Sequence, residues 1–324
     1  MTAVGICLGT EEITETARDA ERLGFESVRV WDHFTGRAPM LAPEVVLATA
    51  AAVTEQVRIG YGVLLAAVRP LPLPAKEIAS LQYVSRGRLL VGIGDGRGAW
   101  ERRHGGLRDA PVWDALGVRR AEAETRTEAA LRLLPGLVGG RLTRIAPEAA
   151  TEAGDGFGVG DASGVGAGVE ITLAPAVAAP PLFVAGGAED AVLRQAGAFG
   201  VSWFPAVISP AQLAGRVRRL RRYADETGRP VPPVTVAVPI QLGVPAGEVA
   251  DARDALVRTV VEAYGVDPDQ AAGVGIVGTP EQAAERLAAF VEAGADRIVL
   301  SGGSAKDWRT GHELPALTAS LLKT

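Results

Sequence analysis

The segment Phe25-Glu-Ser-Val-Arg-Val-Trp-Asp-His-Phe-Thr-Gly-Arg37 decides the fold class of this 324-residue chain. Residues 27–31 follow a β-strand pattern, and a carboxylate and an imidazole, Asp32 and His33, come directly after them. A titratable pair at the carboxyl end of a strand is where α/β barrels carry their chemistry. Asp32 is equally typical of a helix cap, so these residues alone support a functional and a structural interpretation equally.

Strand and helix patterns alternate along the chain on both sides of this segment. The pattern predicts a single α/β domain over residues 1–324, a (β/α)8 TIM barrel with parallel strands. The rhythm is lost between residues 139 and 181, which predicts a long Gly-rich insertion or lid after the fourth strand, poorly ordered except for a strand near residues 170–173. The predicted barrel strands are Val4–Leu8, Ser27–Trp31, Val57–Leu65, Arg88–Ile93, Pro181–Ala185, Val201–Trp203, Val234–Leu242 and Arg297–Leu300.

Composition excludes several classes of function. The 33 basic and 38 acidic residues give a net charge of −5, and no long Lys/Arg block offers a nucleic-acid footprint. The single cysteine, Cys7, permits no intrachain disulfide and suits a reducing cytoplasm. No apolar run reaches the roughly 18 residues of a membrane span, and the N-terminus lacks a signal-peptide pattern. We therefore expect a cytoplasmic protein that binds neither nucleic acid nor membranes.

Glycines cluster at the ends of two adjacent predicted strands. Gly60, Gly62, Gly92, Gly94 and Gly96 lie there, and they suggest a shallow slot at the barrel mouth where a flat ligand can approach the backbone. The spacing in residues 92–98 does not fit a dinucleotide-binding motif, which needs a different third glycine position and a helix directly after it.

A second glycine pair follows the fifth predicted strand. Gly186 and Gly187 precede a helix, and exposed amides at a helix N-terminus bind phosphate well. An ordinary tight turn explains the same pair equally well.

Metal and hydrolase chemistry find little support. The three histidines, His33, His104 and His312, have no metal-ligand spacing, and no G-x-S-x-G elbow is present. A flat slot, a possible phosphate site and one Asp-His pair fit a bound redox cofactor that supplies the chemistry.

Five segments that occur in order along nearly the whole chain match a known pattern: Ser27–Phe34, Ile59–Leu64, Ser85–Gly96, Pro181–Gly187 and Gly278–Leu287. Together they resemble the luciferase-like monooxygenase superfamily of (β/α)8 barrels, which use reduced flavin or the deazaflavin coenzyme F420. The Asp-His-Phe sequence after the second strand is more similar to the F420-dependent oxidoreductase branch.

The resemblance implies roles for individual residues. His33 would face the deazaflavin ring and the substrate as a proton donor or orienting group. Asp32 would contact the polar edge of the ring or hold the loop. Gly62-Val63 falls where the family often has a non-prolyl cis peptide against the back of the ring. Gly94 would line the shallow slot at the barrel mouth. The cofactor phosphate would be bound by backbone amides of Ala185, Gly186 and Gly187.

Two departures from the sugar-phosphate dehydrogenases of this branch bear on the substrate. Arg97 stands where those enzymes place a catalytic acid, and Arg37 where they place a tryptophan, so sugar-phosphate oxidation is not expected. Two guanidiniums at the mouth suit a carboxylate or another anionic group. The sequence is equally compatible with two exposed loop arginines that bind nothing.

The expected function is an F420-dependent oxidoreductase, acting as a reductase, that transfers a hydride between the deazaflavin and a small organic substrate. A monooxygenase that uses reduced flavin mononucleotide (FMN) is the alternative within the superfamily. A non-catalytic barrel that acts as a binding or partner subunit is the alternative from another class. Members of the superfamily are commonly dimers through early helices, and the apolar helix predicted at residues 43–54 is compatible with a homodimer.

Overall fold

Eleven β-strands lie in the part of the chain that the structure describes. This structure is a computed structural model, and it describes residues 2–10, 12–32, 40–96, 110–145, 168–186, 190–264, 266–302 and 313–322. The strands are β1 (Ala3–Cys7), β2 (Ser27–Val30), β3 (Arg58–Leu65), β4 (Leu89–Gly94), β5 (Thr143–Ile145), β6 (Val169–Ile171), β7 (Leu182–Ala185), β8 (Ser202–Phe204), β9 (Thr235–Leu242), β10 (Ile276–Gly278) and β11 (Arg297–Gly302).

Nine of these strands form one curled parallel sheet in the order β10–β9–β11–β1–β2–β3–β4–β7–β8. Two isolated parallel bridges, Trp203 to Val234 and Ala206 to Ala237, bring the end at β8 back against β9. The predicted α/β fold with parallel strands is therefore confirmed, and each of the eight predicted barrel strands is present. The short strand β10, which pairs parallel with β9, was not predicted.

Helices connect the strands, as parallel pairing requires. No helix in the described part of the chain is long and apolar enough to cross a membrane. The helices are α1 (Ile13–Arg22), α2 (Pro43–Val53), α3 (Pro72–Val84), α4 (Ala110–Ala115), α5 (Ala123–Val138), α6 (Asp190–Phe199), α7 (Pro210–Glu226), α8 (Val249–Tyr264), α9 (Pro268–Val274), α10 (Pro280–Glu292) and α11 (Glu313–Leu321).

The sheet is buried on both faces, because helices cover the outside and side chains fill the inside. In β2, Val28 and Val30 belong to the large outer core between sheet and helices, whereas Arg29 between them faces the barrel interior. The interior core comprises Cys7, Leu90, Phe183, Phe204, Ala237 and Val299.

The region predicted as an insertion is described only at its two ends. Its Gly-rich centre, residues 146–167, lies outside the described residues. The flanks carry β5 and β6, which pair antiparallel as a separate two-stranded sheet. The strand predicted near residues 170–173 corresponds to β6, and β5 was not predicted.

The start of α10 shows how local sequence sets an element boundary. Thr279 accepts a hydrogen bond from the Gln282 backbone N–H, and the Gln282 side chain accepts one from the Thr279 N–H. Pro280 fills the first helical position, where no backbone donor is needed. The sequence Thr279-Pro280-Glu281-Gln282, with Thr as the cap and Pro at the first position, predicts a helix start here, and the structure confirms it.

Cys7 lies inside the barrel. Its side chain is buried, and burial raises the pKa of its thiol to about 12 against the opposing charge of Arg29. It is therefore a core residue, as expected for a cysteine within the apolar segment Val4–Leu8.

We expect native protein to resist alkylation at Cys7, because the thiolate is the nucleophile and this thiol stays protonated. Iodoacetamide at pH 8 should modify less than about a tenth of the protein in an hour, and all of it in guanidinium chloride. Intact-mass spectrometry gives both values, and rapid quantitative modification of the native protein would contradict this placement.

Candidate active site

Apolar side chains line the interior of the barrel at the carboxyl ends of its strands. Trp31, Val63, Ala185 and Ala206 are partly buried and pack on the interior core. Trp31 stacks on Phe204 with ring centroids 6.5 Å apart and planes 17° from parallel. These four partly buried side chains, the mouth floor, come from the ends of β2, β3, β7 and β8. They offer an apolar surface on which a flat ring system can lie.

The side-chain positions of the strand-end glycines are occupied by neighbouring residues. A Cβ at Gly62 would lie 3.2 Å from Arg29 Cβ and 3.6 Å from Phe204 Cε1. A Cβ at Gly60 would lie 2.9 Å from Leu90 Cβ, and one at Gly92 would lie 2.8 Å from the Tyr61 carbonyl oxygen. These glycines therefore make room for protein atoms, and the approach of a flat ligand to their backbone stays a prediction.

Val63, rather than a glycine, reaches the mouth on this side of the barrel. The pairing of β3 with β4 shifts register between Tyr61 and Leu64, which marks a bulge at residues 62–63. Gly94 accommodates this side chain, since a Cβ there would lie 2.8 Å from Val63 Cγ2. The cis peptide expected at Gly62-Val63 is not found: among the described residues the cis bond is Ala174-Pro175. The bulge provides the irregularity at this position with trans peptides.

Asp32 is clamped at the edge of the mouth floor. Its Oδ2 accepts hydrogen bonds from the Leu65 backbone N–H at 2.8 Å and from Arg69 Nη1, and its Oδ1 accepts one from Arg69 Nη2 at 3.1 Å. Its own N–H donates to the Val63 carbonyl at 3.1 Å. Both carboxylate oxygens are thus engaged by protein donors. These contacts fit the second of its two predicted roles, holding the loop, better than contact with a cofactor ring.

Arg69 is the residue through which this clamp extends into the fold. Its Nη1 also donates to the Leu65 carbonyl at 3.1 Å, and its Nη2 lies 4.0 Å from Glu44 Oε1. Burial alone would lower the pKa of Arg69, but the hydrogen bonds and charge of Asp32, with the charges of Glu44 and Glu77, raise it. The guanidinium therefore stays protonated, and bidentate pairing fixes its plane. Sequence reasoning did not identify Arg69, because nothing in its spacing links it to Asp32, 37 residues earlier.

Two further carboxylates and a phenol, those of Glu44, Glu77 and Tyr61, interact electrostatically with the guanidinium of Arg69. Burial and the neighbouring charge of Glu44 raise the pKa of Glu77 above its ordinary value. Burial also raises the pKa of Tyr61, whose hydroxyl has no hydrogen-bond partner among the described residues. The guanidinium of Arg69 thus interacts with three carboxylates, those of Asp32, Glu44 and Glu77, and Asp32 is the closest of them.

The predicted phosphate-binding turn is described only in part. Gly186 has φ +156°, and a Cβ there would lie 2.6 Å from Val192 Cγ2, so the backbone runs close against α6. The first residue of that helix, Asp190, pairs with Arg219. A glycine is required at residue 186 because a side chain there would meet Val192, and the phosphate site at residues 185–187 stays a prediction.

Several predicted site residues lie outside the described residues, namely His33, Arg37, Arg97 and Gly187. The structure places Asp32, Val63 and Ala185 at the mouth, with Gly62 and Gly94 packed beside them. Among the described residues, no group of three or more His, Cys, Asp or Glu could hold a metal ion.

Comparison with known proteins assigns the family. The profile of the luciferase-like monooxygenase family matches residues 8–275. The chain belongs to this family. The 5,10-methylenetetrahydromethanopterin reductase of Methanolobus tindarius is 23% identical, and the match covers 89% of each chain.

Solved structures give the same fold for this luciferase-like chain. An F420-dependent secondary alcohol dehydrogenase in complex with an F420-acetone adduct superimposes with a TM-score of 0.73 at 18% identity, covering 100% of this chain and 99% of the other. A monooxygenase from Streptomyces bottropensis superimposes with a TM-score of 0.74 at 20% identity, covering 99% and 100%. At these identities the similarity establishes the fold and does not distinguish the two cofactors.

We predict that Arg69→Met destabilises the protein by about 3–5 kcal/mol, because it leaves the buried Asp32 carboxylate without its charge partner. Urea denaturation measures this loss. Asp32→Asn combined with Arg69→Met should cost less than the sum of the two single substitutions, since the pair acts as a unit.

The exposed pair Arg22–Asp19, whose side chains are 58% and 41% exposed, provides the matched control. Arg22→Met should change the free energy of unfolding by no more than about 1 kcal/mol. Equal effects of Arg22→Met and Arg69→Met would show that the clamp is no stronger than a surface ion pair.

Proposed function

We propose that this luciferase-like chain is a cytoplasmic coenzyme F420-dependent oxidoreductase, acting as a reductase on a small organic substrate. The observation that carries the proposal is the clamp on Asp32 beside the mouth floor. Asp32 directly precedes His33 in sequence, so the clamp fixes the point from which the chain continues to His33. A barrel with an apolar floor and a fixed Asp32, followed in sequence by His33, suits a flat cofactor whose reaction needs a single proton-handling group.

The described residues fit a deazaflavin on three grounds. The mouth floor is apolar, Val63 projects toward the mouth at the bulge, and the backbone at Gly186 leaves no room for a side chain. In this proposal Val63 and Ala185 support the ring, while amides of Ala185, Gly186 and Gly187 bind the phosphate. When bound, the deazaflavin supplies hydride transfer.

The chain's own residues would orient the reactants and manage the proton. His33 donates or accepts the proton that accompanies hydride transfer, and Asp32 positions it from the clamp. Arg37 and Arg97 bind an anionic group of the substrate or of the cofactor tail, for which guanidinium geometry is well suited. The floor excludes water from one face of the ring.

A reduced-FMN monooxygenase is the second candidate, because the same fold occurs in a monooxygenase and in an F420-dependent enzyme. Fluorescence titration of the purified protein with coenzyme F420 and separately with FMN distinguishes the two. We expect saturable micromolar binding of F420 and at least tenfold weaker binding of FMN. Selective FMN binding with oxygen consumption would replace the proposal by the monooxygenase, and binding of neither would indicate a non-catalytic barrel.

His33→Ala should lower kcat about 100-fold or more and leave the F420 dissociation constant within about twofold, because general acid–base catalysis contributes 10²–10⁴-fold. His312→Ala is the matched control, since His312 lies outside the Asp-His pattern, and it should leave both values unchanged. Steady-state kinetics and the same titration provide the readouts. Unchanged turnover in His33→Ala would remove this residue from the mechanism.

We also propose that two copies of the chain associate through α2. The only charged residue of this helix, Glu44, is partly buried and lies near Arg69, so its outward face is uncharged. Leu41 and Val45 at its start are 45% and 60% exposed. An uncharged apolar helix face of this kind is typical of a surface that another copy covers.

Wild-type protein should sediment as a dimer of the 33.5 kDa chain, and Val45→Glu should shift it to monomer, because the substitution places a charge in an apolar contact. Leu317→Glu on α11, where the side chain is similarly exposed at 45%, is the control and should stay dimeric. Sedimentation velocity at several concentrations measures the result. A monomeric wild type, or a dimer unaffected by Val45→Glu, would contradict the assignment to α2.

A further inference from the structure

Arg29 is a fully buried cation inside the barrel. It lies in β2 at 0% exposure, in the row where side chains face the interior, beneath the mouth floor. Burial in an apolar interior is costly for any charge that lacks a partner. Its surroundings therefore show what the barrel provides to hold it.

Aromatic rings approach the Arg29 guanidinium, but no acceptor meets its edges. Arg29 Cζ lies 4.6 Å from the centroid of the Phe183 ring and 5.2 Å from that of Phe204. Its Nε, Nη1 and Nη2 have no hydrogen-bond partner among the described residues. Ring faces stabilise a cation, but the five N–H groups in the guanidinium plane still require acceptors.

Charge is also out of balance around Arg29. Arg297 Cζ lies 5.5 Å from the same Phe183 ring, so two guanidiniums share one aromatic side chain. The carboxylate of Glu26 is engaged by Arg297 at 3.0 Å and by Arg58 at 3.6 Å. Burial and the charge of Arg297 lower the pKa of Arg29 to about 9, which still leaves it protonated at neutral pH. In the part of the chain that the structure describes, the single carboxylate of Glu26 thus interacts with three arginines, Arg29, Arg58 and Arg297.

We propose that the barrel interior binds one small monovalent anion, of the halide class, at the edge of the Arg29 guanidinium. Water could accept the hydrogen bonds but would leave the charge uncompensated, whereas a halide supplies both acceptor and charge. Arg29 is fully buried among the interior side chains, so only a small anion is expected to reach the edge of its guanidinium. The inference does not depend on the cofactor, and it would hold for either function proposed above.

Equilibrium urea denaturation in sodium chloride and in sodium gluconate, at equal ionic strength, tests the proposal. Unfolding opens the barrel, so the measurement does not depend on slow entry of the ion into the folded protein. Chloride should raise the unfolding midpoint saturably, by about 0.5 M urea at tenfold excess over its dissociation constant, and bromide should do the same. Gluconate is too large for the site and should give only a gradual, unsaturating change.

Arg29→Met should abolish the saturable chloride effect, because it removes the charge while keeping an apolar side chain of comparable length. Arg222→Met is the matched control: this guanidinium lies over the Tyr223 ring, its side chain is 60% exposed, and the chloride response should be retained. A chloride response that persists in Arg29→Met would overturn the proposal.

Bromide diffraction provides a second test if Arg29→Met fails to fold. Wild-type crystals grown in sodium bromide should show an anomalous peak within about 3.5 Å of a nitrogen of the Arg29 side chain. Ordered waters on all three nitrogens, with no anomalous peak and no saturable chloride effect in solution, would establish that hydration alone accommodates the charge.

Discussion

The buried ion pair between Asp32 and Arg69 is the constraint on which the rest of the candidate site depends. It joins the end of β2 to the end of β3 and to the turn that follows, so three chain segments meet at two side chains. Arg126 extends the connection, because its Nε donates to the Ala67 carbonyl at 2.6 Å and brings α5 to the same turn. Any ligand at the mouth therefore meets an edge whose position is set by charge-assisted hydrogen bonds rather than by loop packing.

The barrel interior depends on complementarity in size between neighbouring strands. Glycines on β3 and β4 face inward where Arg29 and Phe204 reach across from β2 and β8, so small residues on one side match large ones on the other. This is the layered filling expected of a TIM barrel, whose interior is a packed core. The organic ligands proposed above would accordingly bind at the mouth, whereas only a small ion could lie among the packed side chains of the described interior.

Local patterns in the sequence predicted the eight barrel strands, β6 and the start of α10, since these depend on short-range periodicity and capping. They could not predict the Asp32–Arg69 pair or the filling of the glycine positions, which arise from contacts between distant segments. The long helical pattern from Trp113 to Val138 also conceals a break: Gly117, at φ +67°, ends α4 before α5 begins. A glycine can be read as open space or as room for a neighbour, and only the packing distinguishes them.

Two arginines, the partly buried Arg69 and the fully buried Arg29, show how the surroundings decide what a charge does. Arg69 has a carboxylate in bidentate contact, and its pKa is raised; Arg29, under the floor, has aromatic rings and no acceptor among the described residues, and its pKa is lowered. The charge of Arg69 has a structural role, because its hydrogen bonds to Asp32 hold the edge of the site. The charge of Arg29 is surrounded by apolar side chains in which its field is weakly screened, so it favours an anion beside it. One cation thus holds the edge of the site, and the other creates the environment in which the proposed anion would bind.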